Sequence, residues 1–222
     1  LGIVILSARV YNTAMLSAEI LLLRHGQSEG NEGGRFGGHG PTPLTALGRR
    51  QAEAAARALA GEGPLDAIFA SDLVRAQQTA EPVVAATGVA MRTTPALRER
   101  SVGVFTGMTF AEAEAAHPQI FAAMMQRDPD ACPPAGESSR ARLVAVGAFF
   151  DELVAELGGR RTLLVSHAFT LNLLLRRLLG LAESPTVFFR TDNCGLHRLK
   201  RSPTGFWNVE ALNDRRHLVD VR

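Results

Sequence analysis

The chain has 222 residues, 46% of them hydrophobic, which is enough to bury one good core plus a small cap. Its 24 basic and 22 acidic residues leave a net charge of +2, so neither a nucleic-acid partner nor a membrane surface is indicated, though a local basic pocket is compatible with it. No apolar stretch approaches the roughly 20 residues of a membrane span, and two cysteines far apart, Cys132 and Cys194, are expected to be free thiols in a reducing cytoplasm.

The first 18 residues are mildly apolar and have no basic segment ahead of the apolar run, so they make a poor signal peptide. Met15 is a natural start, because "MLSAEILLLRHG" leads directly into a strand; residues 1–18 form an N-terminal extension of no assigned function. Residues 20–24 (ILLLR) read as a buried strand followed by a glycine-rich loop. Thr45 caps a helix that stops at Gly61. "DAIFA" (66–70) is a second strand, after which Ser71 is expected to cap a helix kinked at Pro82. "VAMRTTPAL" is a third strand, and 109–118 a short helix ending before Pro118. Beyond the turn-rich "DPDACPPAGE", Ser138 opens a long helix with Leu143, Val146, Phe150, Leu153 and Leu157 on one face, ended by Gly158 and Gly159. "TLLVSH" (162–167) is another buried strand, its helix ends before Gly180, and two strands around "RSPTG" close the chain. The alternation predicts a single α/β domain over 19–222 with a mainly parallel sheet.

In open α/β sheets, sites lie outside the carboxyl ends of the strands. Arg24 and His25 end the first strand, Arg75 lies in the first turn after the second, Glu99 follows the third, and His167 ends "TLLVS". Two arginines and two histidines make a cationic pocket suited to a dianionic phosphate. One histidine fits a nucleophile and the carboxyl a general acid. Singly, each residue has an ordinary structural role open to it: a hydrogen-bonding histidine, a solvated Arg75, a Glu99 paired with Arg98 or Arg100. Their shared placement at strand ends favours a site.

"LLLRHGQSEGN", with "PLTALGRRQA", "ASDLVRAQQTA", "LRERSVGVFTG", "PPAGES", "LLVSHAFTLNLLL" and "ALNDRRHL" following in order, resembles the histidine phosphatase superfamily, the phosphoglycerate mutase-like fold. The resemblance runs from about Ile20 to Leu218 and implies a six-stranded, mostly parallel sheet flanked by helices, with a lid over about 107–137 that selects the substrate. It implies that His25 is the transiently phosphorylated histidine, Glu99 the proton donor and His167 the second histidine. It gives phosphate binding to Arg24, Asn31 and Arg75, and backbone approach to Ala168, where the family commonly has glycine. No cofactor and no metal are implied, because cationic side chains supply the charge. The implied partner is a small phosphorylated metabolite; the sequence carries no signal for an oligomeric state.

Departures from the mutase pattern point to a phosphatase. Val102 occupies a tyrosine position, Phe110 a lysine position, Gly37 a serine or threonine position and Thr42 an aspartate position, while paired arginines reduce to Arg127. Mutase-type phosphoryl transfer is the alternative. Three further readings compete. "GQSEG" matches the G-x-S-x-G nucleophile elbow with Ser28 as a serine-hydrolase nucleophile, but an elbow is followed at once by a helix and a glycine-rich loop is expected here. A non-catalytic phospho-ligand binder is opposed by the presence of both His25 and Glu99. A metal site from His25, His39 and His167 has no ligand spacing behind it.

Overall fold

The computed structural model describes residues 17–181 and 186–221; nearly all of the N-terminal extension lies outside them. One sheet holds β1 (Ala18–Arg24), β2 (Ala67–Ser71), β3 (Met91–Thr94), β4 (Arg161–Ser166), β5 (Leu196–Arg201) and β6 (Trp207–Asp214), in the spatial order β3-β2-β4-β1-β5-β6. The first four in that order are mutually parallel; β5 runs antiparallel to β1, and β6 to β5. The helices among the described residues are α1 (Glu29–Glu32), α2 (Ala46–Gly61), α3 (Val74–Thr87), α4 (Phe110–Ala116), α5 (Pro118–Met125), α6 (Ser139–Glu156) and α7 (Ala168–Leu178). This is the expected single α/β domain with a mostly parallel six-stranded sheet flanked by helices.

Strand periodicity explains why "ILLL" and "TLLV" are apolar throughout. Alternate residues point to opposite faces, and here helices cover both. Leu21, Leu23, Leu163 and Val165 pack with Ala55, Leu59, Ala80 and Val83 of α2 and α3. Ile20, Leu22 and Leu164 pack with Val146, Phe150, Leu171 and Leu174 of α6 and α7. Helix starts follow the capping signals at two places: Thr45 Oγ1 accepts from the Gly48 N–H, and Ser138 Oγ from that of Ala141. At α6's far end, Gly158 and Gly159 take φ of +53° and +90°, which stops the helix.

The short helix expected before Pro118 is α4; Pro118 then starts a further helix, α5, at a position where its missing N–H costs no bond. Two sequence expectations need correction. Ser71 does not cap a helix: it is the last residue of β2, and α3 begins at Val74 after Leu73, with no side-chain cap. Its hydroxyl is already committed to His167 and to the Leu73 N–H. A one-turn helix, α1, follows Ser28 where only loop was expected, because Ser28 and Asn31 form a reciprocal capping box.

A third apolar cluster, with Val102, Phe105, Ala113, Phe121 and Met124, seats α4 and α5. Phe121 and Met124 are therefore core. Phe110 remains 50% exposed and stacks on Phe36, ring centres 4.4 Å apart. At Gly103, φ is +52° and an added Cβ would lie 2.0 Å from the Pro134 carbonyl oxygen; the loop 132–137 thus docks directly on the segment after Glu99.

Candidate active site

Register brings the reactive residues together. Arg24 pairs with Ser166, and Ala70 with Val165, so β1, β2 and β4 end level with one another. His25 and His167 follow these strand ends directly, beside Ser71, the last residue of β2, and the His25 N–H donates to the Ser166 carbonyl at 2.9 Å. Gly26 permits the turn that follows. A Cβ there would lie 2.5 Å from the Gly48 carbonyl oxygen, so the chain leaving His25 passes against the start of α2.

The His25 and His167 rings lie 5.0 Å apart, tilted by 58°. His25 Nδ1–H donates to the Gly26 carbonyl at 2.7 Å, which leaves Nε2 with the lone pair. Burial, then the charges of Arg75 and Arg24, hold His25 well below the usual histidine range, against the opposing effect of the Gly26 bond. His167 is lowered for the same reasons, burial first, then Arg75, His25 and Arg24. Both rings are therefore neutral at neutral pH. Arg24 Nη1 donates to the Thr191 carbonyl at 2.7 Å, while its buried Nε has no partner among the described residues. Arg75 donates to the carbonyls of Gly40 (3.1 Å) and Gly38 (2.8 Å), so the glycine-rich loop positions a cation. Burial brings Arg75 down to about 10, with Glu99 opposing, and it stays charged.

Glu99 lies close enough to raise both Arg24 and Arg75 through its charge. Its carboxylate accepts from the Arg100 N–H at 2.9 Å and from the Phe169 N–H, in the first turn of α7, at 3.2 Å. Asn31 Oδ1 accepts from the Ser28 N–H, the Ser28 hydroxyl and Asn193 Nδ2. Ala168 opens α7 directly after His167. Every residue singled out from the sequence thus lies at this sheet edge or on a segment bonded to it.

Residues 20–215 match the histidine phosphatase superfamily (branch 1). The chain belongs to that superfamily. It is 34% identical over 204 residues to a probable phosphoglycerate mutase GpmB from Yersinia pestis (strain Pestoides F), covering 90% of this chain and 94% of the relative. It is similar to a mycobacterial glucosyl-3-phosphoglycerate phosphatase solved with VO3 (30% identity, TM-score 0.78, 89% of this chain and 100% of the other). It is also similar to a putative alpha-ribazole-5'-P phosphatase from Escherichia coli str. K-12 substr. MG1655 (30% identity, TM-score 0.81, 89% and 97%).

The candidate site also contains residues that the sequence reading did not assign to phosphate chemistry. Asn193 Nδ2 donates to both the His25 carbonyl and Asn31 Oδ1, each at 3.0 Å. Ser71 Oγ lies 2.8 Å from His167 Nε2. Thr79 Oγ1 accepts from the Gly26 N–H and donates to the Arg75 carbonyl, tying α3 to the turn after His25. His39 Nε2–H donates to the Glu99 carbonyl at 2.8 Å. The usable signal for Ser71 and Thr79 was "ASDLVRAQQTA" itself, read only for Arg75. Asn193 carried no periodic signal.

The serine-hydrolase reading fares poorly on geometry. Ser28 caps α1 with ordinary extended backbone (φ −101°, ψ 162°), and its hydroxyl donates to Asn31 rather than to a histidine. Among the described residues, no three His, Cys, Asp or Glu side chains cluster to hold a metal ion, and no helix is long and apolar enough to cross a membrane. Cys132 and Cys194 are free; burial pushes the Cys194 thiol up to about 12.

Proposed function

We propose that the chain is a phosphomonoester hydrolase acting on a small phosphorylated metabolite through a phosphohistidine at His25. The carrying observation is the His25 ring, its Nδ1 tied to the Gly26 carbonyl and its pKa lowered by burial, beside Arg24 and His167, whose buried Nε and Nδ1 have no hydrogen-bond partner among the described residues. Buried donors are normally satisfied, and a phosphoryl oxygen supplies what these two lack. His25 Nε2 attacks phosphorus in line while Glu99 gives its proton to the departing alcohol oxygen. Water then attacks the phosphohistidine, Glu99 takes a proton from it, and inorganic phosphate leaves. Arg24, Arg75, His167 and Asn31 carry the equatorial charge throughout, so no metal or cofactor is needed. Residues about 107–137 act as the lid.

Hydrolysis is favoured over mutase transfer by what surrounds the acid. Val102 is 5% exposed and committed to the third apolar cluster, and Phe110 is stacked on Phe36. Neither offers a polar group to a phosphoglycerate carboxylate. The names of two similar solved proteins, both phosphatases, support the same reading. The relative named as a probable phosphoglycerate mutase motivates the second reading. A cytoplasmic location belongs to the same proposal, supported by two free, widely separated cysteines. Quenching turnover in base should trap an acid-labile phosphoenzyme that His25→Ala does not form; equal trapping in the variant overturns the assignment. Phosphoglycerate interconversion far faster than phosphate release would establish the mutase reading instead.

A further inference from the structure

A cavity of about 200 Å³ opens between α5, α6 and α7, outside the set of residues assigned to the phosphate. It nevertheless adjoins the residues that hold the acid. The two residues whose amides hold the Glu99 carboxylate, Arg100 and Phe169, line this cavity with their side chains. Arg100 is 8% exposed, its Cζ lies 4.5 Å from the centre of the Phe169 ring, and its Nη1 donates to Ser139 Oγ at 2.9 Å. Across the cavity, Arg127 Cζ lies 4.1 Å from the centre of the Phe188 ring. Met124, Pro129, Leu143 and Leu173 complete the apolar lining. Among the described residues, neither Arg100 nor Arg127 has a carboxylate within ion-pair distance; each is stacked on an aromatic ring instead. Arg127 also sits at φ +62°, backbone that usually belongs to glycine, so presenting this side chain strains the end of α5.

We propose that this cavity receives the alcohol portion of the substrate, and that the substrate class is a phosphomonoester whose alcohol carries an apolar ring and, beyond it, an anionic group. The inference rests on the phosphatase reading above. The departing oxygen must lie at Glu99, so the carbon chain attached to it starts beside Arg100 and Phe169. A flat ring matches the apolar wall and the stacked guanidinium planes. A carboxylate or second phosphate matches the Arg127 guanidinium, which has no carboxylate within ion-pair distance among the described residues, whereas Arg100 already feels the charges of Glu99 and Glu137.

Three probes with similar leaving oxygens separate the contributions: n-propyl phosphate, 3-phenylpropyl phosphate and 3-(4-carboxyphenyl)propyl phosphate. In the wild type, kcat/KM should rise about tenfold on adding the ring and about fivefold again on adding the carboxylate, magnitudes typical of a filled apolar pocket and a charge-assisted contact. Arg127→Met should abolish the carboxylate step and keep the ring step. Phe188→Ala should shrink the ring step. Both positions are exposed, so both variants should fold. Equal kcat/KM for the three probes in the wild type, or the same pattern of steps in both variants, overturns the inference while leaving the phosphatase reading standing. Failure to release phosphate from all three overturns the phosphatase reading itself.

Discussion

Ser71 Oγ stands 2.8 Å from His167 Nε2, and the opposite ring nitrogen, His167 Nδ1, is buried without a partner among the described residues. Ser71 Oγ already accepts from the Leu73 N–H at 3.2 Å, so its own proton is available for Nε2. That arrangement makes Nδ1 the protonated nitrogen of a neutral His167 and turns it into a donor for a phosphoryl oxygen. Ser71→Ala should lower kcat roughly tenfold, the value of one well-placed hydrogen bond of about 1.4 kcal/mol. Ser71→Thr should restore most of it. Nitrogen NMR of the His167 ring should show the single tautomer in the wild type and a mixture in Ser71→Ala; an unchanged tautomer would remove Ser71 from this role.

Asn193 makes a second test of positioning. By occupying Asn31 Oδ1 and the His25 carbonyl together, it fixes the Asn31 amide so that the Asn31 NH2 remains for the phosphate. Asn193→Ala should reduce kcat/KM about tenfold. Adding it to Asn31→Ala should cost little more than Asn31→Ala alone, since the two act through one group. Full additivity of the two losses would show that Asn193 acts elsewhere.

These two cases mark where sequence reading stopped. The strand ends were legible because apolar runs have to be buried, and Arg24-His25 and Ser166-His167 interrupt such runs abruptly. Thr45 and Ser138 were legible because helix caps follow local chemistry. Asn193 was not, because it enters the site through antiparallel β5, whose first residue pairs with Leu23 at the end of β1. That placement depends on strand order, which no local pattern encodes. Ser71 was misread for a related reason: a serine after a strand looks like a cap until the partner across the sheet is known.

Acid should destabilise the fold in a defined window. His25, His167 and His197 are all lowered by burial, His197 to about 4. Below the unfolded value of about 6.5, the unfolded chain binds protons that the native state does not. Stability is therefore full above about pH 6.5 and falls as pH drops toward the folded values, each histidine contributing up to about 1.4 kcal/mol per pH unit. Urea midpoints at pH 7.5, 6 and 5 should fall in that order. A midpoint unchanged from pH 7.5 to 5 would mean that these rings are not held neutral.

Chelation should leave turnover intact, because the proposed charge stabilisation comes from Arg24, Arg75 and His167. Orthovanadate should inhibit competitively by taking the trigonal-bipyramidal phosphoryl geometry. Loss of activity in EDTA with recovery on adding a divalent metal would contradict the proposed mechanism.

Glu99 provides the most discriminating measurement. Its proposed task is to protonate the departing oxygen, and the need for that proton grows with the basicity of the leaving group. A metabolite alkoxide is strongly basic; para-nitrophenolate departs readily without help. Glu99→Gln preserves shape but has no acidic proton to give, and it keeps only one of the two oxygens that accept from the Arg100 and Phe169 N–H groups. Thermal unfolding of the variant therefore has to accompany the kinetics, to separate a loosened loop from lost proton transfer. In single-turnover phosphorylation, alkyl phosphates should slow by about a hundredfold or more, a typical general-acid contribution. Para-nitrophenyl phosphate should slow clearly less. Equal losses for both substrates would mean that Glu99 only positions the loop and the substrate, and that the proton comes from another group.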